Sequence, residues 1–386
     1  MDDKEKGAAS ALNKVFGYEP RIAAALIREL GSAAAVFALS EKQRNALLAP
    51  FSKYAGALGD GILENSLREA EALEKAGCRI IPLISEDYPA LLRDCEDPPA
   101  CLYVKSSSEP KEIFAGRPLI SVVGTRDTSL YGKEWCGRIV RAMAEAPQKP
   151  CIVSGLAFGI DITAHLAALE SGLPTIAVLP TGIDRIYPSA HRQAAKRIAS
   201  SKGSALISDF PPETGPAAFT FLRRNRIIAG LSRSTILIES KIKGGGMITA
   251  RLAASYGRDV FALPGRVDDL RSAGCNRLIR EKTAEAISDL SGLGVQLGLG
   301  RYNMRRKEDL SERACLLYAA EGEELRKSLL QAVLTIKKQR GISIEELGAS
   351  LGEPYPEASA LARRLESDGL ICIDLLGRCT IDAKNV

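Results

Sequence analysis

The chain has 386 residues, 46% of them hydrophobic and 26% charged, which leaves room for two or three domains with a full-sized core. It contains no apolar run of about 18 residues, which excludes a membrane-spanning helix. One Trp and 5% aromatics argue against a surface paved mainly with stacking rings, and a net charge of +5 is too small to assign a partner by itself.

The opening Met1-Asp2-Asp3-Lys4-Glu5-Lys6 lacks the apolar stretch of an export signal, so a cytoplasmic location is expected. The first 75 residues alternate Ala/Leu-rich helical segments with breaks at Gly17-Tyr18-Glu19-Pro20 and Gly31-Ser32. A helix-hairpin-helix or SAM-like module would fit this pattern, although a plain helical packing domain is the commoner outcome. A helix ending at Gly77 then leads to strands at Ile80–Ile84 and Leu102–Val104, separated by the turn Asp97-Pro98-Pro99.

From Leu119 the pattern becomes regular. Strands are expected at Leu119–Val123, Ile152–Val153, Thr175–Leu179, Ala205–Ile207, Thr235–Ile238 and Val260–Leu263. Helices are expected between them at Gly132–Ala146, Gly159–Ser171, His191–Ser200, Phe221–Leu231 and Met247–Gly257. Short β-branched runs alternating with helices predict an α/β fold, a Rossmann-like doubly wound and mainly parallel sheet spanning residues 76–290. Gly292, Gly294, Gly298 and Gly300 make Ser291–Glu308 read as linker, and residues 291–322 are assigned to it. Helices at Leu325–Arg340, Ser343–Leu351 and Tyr355–Asp368, with strands at Leu370–Ile373 and Cys379–Ile381, predict a winged helix over residues 323–386.

Four loops of the central region suit anions. Gly124-Thr125-Arg126 follows the first core strand and offers close backbone, a hydroxyl and a planar guanidinium. Ser154-Gly155 and Gly159 flank a loop opening a helix, where the positive end of the dipole favours an anion. Phe221-Leu222-Arg223-Arg224-Asn225-Arg226 is a basic knot in which Arg223 and Arg226 share a helix face. Lys241 and Lys243 precede Gly244-Gly245-Gly246 and a helix bearing Thr249, again a nest of amide donors. From Phe221 to Arg251, seven basic residues stand against one acid, Glu239. A solvated charged face explains any one such cluster, but four at one sheet edge point to a chain of phosphates. The G-x-x-x-G spacing is not the dinucleotide fingerprint, so no cofactor is expected. The nine cysteines form no C-x-x-C pair, and His165 and His191 are the only imidazoles, so reduced thiols and no metal site are expected.

The stretches VVGTRDTSLYG, SGLAFGIDITAH, LPTGIDRIYPSAHR, SDFPP, FLRRNRIIAGLS, ILIESKIKGGGMITARLAASYGRDVFALPG and GCNRLI occur in this order. Together with the lead-in YPALLRDCEDPPACLYV they closely resemble the DprA/Smf (DNA-processing protein A) family. The resemblance implies an extended Rossmann fold and a homodimer. It also implies a non-enzymatic single-stranded-DNA-binding role that helps load RecA recombinase during natural transformation. The resemblance nominates Thr125, Arg126, Gly155, Phe221, Arg224, Asn225, Arg226, Lys241 and Thr249 as DNA-binding; the loops themselves add Gly124, Ser154, Gly159, Arg223, Gly245 and Gly246, and none is expected to be catalytic. Phe158 stands where many members have Arg, Leu222 where Pro is frequent, Gly244-Gly245-Gly246-Met247 where S-G-S-[LM] is usual, and Glu281-Lys282-Thr283 where Gly-Ala is common.

Two other readings compete. A phosphoribohydrolase-like nucleotide enzyme would need a positioned acid or base, for which Asp161, Glu239 and His165 are the candidates. A duplex-binding regulator would use Tyr355–Asp368 as recognition helix. Arg363 and Arg364 are there nearly balanced by Glu357, Glu366 and Asp368, which favours packing or a protein partner.

Overall fold

The computed structural model describes residues 2–54, 56–300, 310–339 and 341–381. Nine of its strands form one sheet: β1 (Cys78–Pro82), β2 (Cys101–Lys105), β3 (Leu119–Val123), β4 (Cys151–Ser154), β5 (Thr175–Val178), β6 (Ala205–Ser208), β7 (Ser234–Leu237), β8 (Asp259–Ala262) and β9 (Glu285–Ala286). Their order across the sheet is β1-β2-β6-β5-β4-β3-β7-β8-β9. Pairing is parallel from β6 through β9, while β2 runs antiparallel to both β1 and β6.

Strands β3 to β7 are short β-branched and aliphatic runs buried along their whole length, as strands covered by helices on both faces must be. The chain leaves β3 toward β4, β5 and β6, then returns to place β7 on the other side of β3. That reversal makes the carboxyl ends of β3 and β7 the topological switch point, where open α/β sheets bind ligands.

The chain divides into two compact units: Met1–Thr128 with Ile139–Tyr302, and Ser129–Arg138 with Asn303–Val386. In the first, the N-terminal helices Asp3–Phe16 and Pro20–Leu30 share one apolar core with the sheet. Asn13 explains the attachment. Its buried amide donates to Cys101 O at 2.8 Å and to Asp209 O at 3.2 Å, and accepts from Ala100 N at 2.8 Å. A fully engaged buried amide of this kind fixes one docking geometry.

The Gly-rich stretch expected as linker begins instead as a helix, Leu290–Gln296, capped by Asp289, which accepts from Gly292 N at 2.5 Å. Leu293, Leu297 and Leu299 bury themselves, and Gly298 and Gly300 turn the chain at φ 69° and 89°. The glycines there mark a cap and a turn rather than a flexible run. Residues 301–309 of the expected linker lie outside the described residues, as do Arg340 and residues 382–386 of the expected C-terminal domain.

The second unit holds helices Leu310–Leu317, Glu323–Lys338, Ile344–Leu351 and Tyr355–Ser367. With them is a small antiparallel sheet, β10 (Ile342–Ser343), β11 (Ile371–Ile373) and β12 (Arg378–Ile381), ordered β10-β12-β11. Ser343 and Glu346 form a capping box at the start of Ile344–Leu351, and Gly352 ends that helix in the left-handed conformation at φ 72°. This is a winged-helix arrangement whose core includes Leu329, Val333, Leu347, Leu361 and Leu365.

Candidate nucleic-acid interface

The loops after β3, β4 and β7 touch one another through glycine. A Cβ on Gly124 would lie 2.6 Å from Ile160 and 3.0 Å from Glu239 O, and one on Gly246 would lie 3.2 Å from Gly124 Cα. Gly159 adopts φ 77° and presses on the Thr125 and Arg126 carbonyls, where no side chain fits. Thr125 N donates to Glu239 O at 2.7 Å, Ile160 N donates to Thr125 O at 3.2 Å, and Thr125 Oγ1 accepts from Asp127 N at 3.2 Å. The three loops therefore form one rigid rim.

On this rim Arg126 is exposed, its guanidinium 4.5 Å over the Phe221 ring, and it makes no hydrogen bond or ion pair among the described residues. Phe221 meets Tyr187 edge-on at 5.6 Å, and half-exposed Phe158 meets His191 edge-on at 4.8 Å. Flat rings beside an uncommitted cation offer stacking surface and phosphate contact together. Lys241, Lys243 and Gly245 are exposed on the loop after β7, and neither lysine has a charge partner among the described residues. The helix Gly245–Ser255 starts there, its first amides lacking intrahelical acceptors. Thr249 lies buried one turn in, its hydroxyl 3.5 Å from Gly245 O. The Asn225 side chain, 8% exposed, has no hydrogen-bond partner among the described residues.

Other expected contacts face inward. Arg223 and Arg226 share a helix face, as their spacing predicts, and both reach fully buried Asp209, at 2.9 and 2.6 Å. Arg226 also donates to Asp97 O, and Arg223 lies over the Phe210 ring at 4.5 Å. Arg224 is 3% exposed and donates to Val178 O at 2.8 Å. Burial lowers its pKa to about 10, against the opposing charge of Asp161. Gly155 is glycine because a Cβ there would collide with the Arg224 guanidinium. Ser154 Oγ donates to Val122 O at 2.7 Å. The expectation that these four side chains contact phosphate thus meets donors already committed to the protein. Arg223 and Arg226 turn inward to neutralise Asp209, and Arg224 fills the space under Gly155.

The glycine loop itself is held from within. Asp161 accepts from Gly155 N at 3.2 Å and Ala157 N at 3.4 Å, in a site where burial, opposed by Arg224, raises its carboxyl above the ordinary range. Leu156 sits at φ 58°, and its carbonyl accepts from His191 Nδ1 at 2.8 Å. His165 Nδ1 donates to Thr175 Oγ1 at 2.7 Å, because that hydroxyl donates onward to Ile152 O at 2.8 Å. Its Nε2 is enclosed without a partner, and burial lowers its pKa to about 3. Glu239 is buried and accepts from Thr128 Oγ1 at 2.9 Å. Each group proposed for acid–base work thus serves the fold. Among the described residues no cluster of three His, Cys, Asp or Glu side chains is arranged to hold a metal, and no helix is long and apolar enough to cross a membrane. Sequence reasoning missed Asp209 and Tyr187, which lie inside the motifs SDFPP and LPTGIDRIYPSAHR.

A doubly wound sheet with a rigid, cationic, ring-bearing rim at its switch point places the chain in the class of Rossmann-like α/β proteins. Residues 79–297 match the model of the DNA recombination-mediator protein A family, and the chain belongs to that family. It is 40% identical to Protein Smf of Escherichia coli, over 54% of each chain. It is 38% identical to DNA processing protein DprA of Bacillus subtilis, over 55% of this chain and 70% of that one. The alignments span about half the length of the E. coli and Synechocystis relatives. Among solved structures, DprA of Streptococcus pneumoniae superposes with TM-score 0.59 at 28% identity, over 77% of this chain and 98% of that one. The structure describing a single-stranded DNA binding mode of DNA processing protein A from Helicobacter pylori gives TM-score 0.51 at 30% identity, over 57% of this chain and 95% of that one.

Proposed function

We propose that the protein binds single-stranded DNA at the switch-point rim, without catalysing a reaction, and helps load RecA recombinase onto incoming DNA during natural transformation. The observation that carries the DNA reading is Arg126, a guanidinium stacked at 4.5 Å on Phe221 at the rim, with no acceptor among the described residues. Family membership and the binding mode described for the H. pylori protein support the class of ligand. The RecA role and a homodimer follow from the family resemblance. Unstacked bases can lie on Phe221, Tyr187 and Phe158 only when the strand is single, since a duplex hides its ring faces.

The test is fluorescence anisotropy with a labelled oligothymidylate against a duplex of the same length. Binding is expected to favour the single strand, and Arg126→Ala to cost about 1.5–3 kcal/mol through loss of a charge-assisted contact. Equal affinity for duplex, or an unaffected Arg126→Ala variant, would overturn the reading.

A further inference from the structure

A groove of about 440 Å³ opens beside the helix Arg192–Ser200, in the unit that carries the rim. Lys105 at the end of β2, Arg185 in the loop after β5, and Arg192 and Lys196 on the helix line it, all four exposed. Arg192 and Lys196 are four residues apart and so stand one above the other on a single face. Asp184 is the one acid in the lining, and it is already occupied. It accepts from Glu213 N at 3.1 Å and faces Arg185 at 3.6 Å. Lys105, Arg192 and Lys196 make no ion pair or hydrogen bond among the described residues. Three unneutralised cations therefore converge over a floor that includes Ile183, Ala195 and Leu206. Such a floor suits sugars and bases, and the cations above it suit phosphates.

Tyr187 connects this groove to the rim. It lines the groove, and its ring meets Phe221 at 5.6 Å, while Phe221 in turn carries Arg126 at 4.5 Å. The path from Arg126 to the groove is thus continuous at ring-contact distance, and it is paved with surfaces on which a base can stack.

We propose that the groove is a second segment of the DNA track: a single strand held at Arg126 crosses Tyr187 and lays its next phosphates against Lys105, Arg192 and Lys196. This rests on the single-strand reading of the rim. It makes binding length-dependent, because a short oligonucleotide fills the rim alone whereas a longer one reaches both segments.

The triple variant Lys105→Ala/Arg192→Ala/Lys196→Ala tests it, with all three changes on exposed side chains outside the core. Anisotropy titrations across a salt series would compare oligothymidylates of about six and about twenty nucleotides, lengths that bracket typical single-strand site sizes. The six-mer should bind the variant and the wild type equally. The twenty-mer should bind the variant roughly tenfold or more weakly. Its log–log salt slope should be shallower by about 2, at about 0.7 for each phosphate contact removed. Unchanged twenty-mer binding and slope overturn the second segment. An equal proportional loss for both lengths also overturns it, since the charges would then act at a distance and seat nothing. Arg126→Ala, measured alongside, separates the two readings: loss at both lengths upholds the rim whatever the groove does, while a wild type that binds neither length overturns both.

Discussion

At Arg126 the guanidinium stacks in solvent and meets no acceptor among the described residues, whereas Arg224 is enclosed against Val178 O. The first can trade water for phosphate at small cost; the second would leave a buried carbonyl unpaired if it moved. Arg126→Lys keeps the charge but loses the planar stack on Phe221, an interaction worth about 0.5–1 kcal/mol at an exposed site. That variant should keep the salt dependence of oligonucleotide binding while losing affinity, which the same anisotropy titrations would read. His165 supports a prediction of another kind. With a folded-state pKa of about 3 against about 6.5 when unfolded, it is neutral in the native protein, and its contribution is complete above pH 6.5. That contribution is lost as pH falls from 6.5 toward 3, at up to roughly 1.4 kcal/mol per pH unit. Asp161, with its raised carboxyl, acts in the opposite sense, its cost growing as pH rises past the ordinary carboxylate range. The difference between wild type and His165→Asn isolates the imidazole: between pH 6 and 4, urea unfolding of the variant should show the shallower dependence on pH.

At the level of elements, the helix Ala218–Leu231 is tied to the end of β6 through Arg223, Asp209 and Arg226. Asp209 is fully buried, so removing it strands two guanidiniums rather than merely deleting a contact. Asp209→Ala should destabilise the protein by about 3–5 kcal/mol, read as a lower urea midpoint. The alternation of strands and helices was legible because β-branched runs such as Ile120, Val122 and Val123 have one place to go in an α/β fold. The shared face of Arg223 and Arg226 was legible for the same reason, since helical spacing is local. Their partner was not, because Asp209 lies 14 residues from Arg223 and 17 from Arg226, and no local pattern encodes that pairing. Likewise Gly292 and Gly298 looked like linker residues because a cap and a turn use the same residue as a flexible run. Of the candidate rim, Gly124, Arg126 and Lys241 were read from strand–loop–helix order. Tyr187 escaped because its place beside Phe221 depends on the tertiary fold.

Across the whole molecule, each of the two units has its own apolar core, and the candidate rim lies within the first. Leu347, fully buried in the second, should lose about 2–5 kcal/mol on truncation to Ala. We expect that loss to appear in a single unfolding transition and to leave oligonucleotide affinity unchanged. A parallel fall in affinity would place the winged helix in the binding path.

The amide of Asn13, which reaches 196 residues along the chain to Asp209 O, also sets a timetable for synthesis. The first helix and the β1–β2 pair leave the ribosome well before β6 exists to receive them. At about 5–20 residues per second, the hundred or so residues between β2 and Asp209 take on the order of ten seconds to appear. During that interval the helix can already settle against β1, β2 and the helix Asp60–Lys75, while the Asn13 amide waits for its last acceptor, so the N-terminal module is built first and locked onto the parallel sheet afterwards.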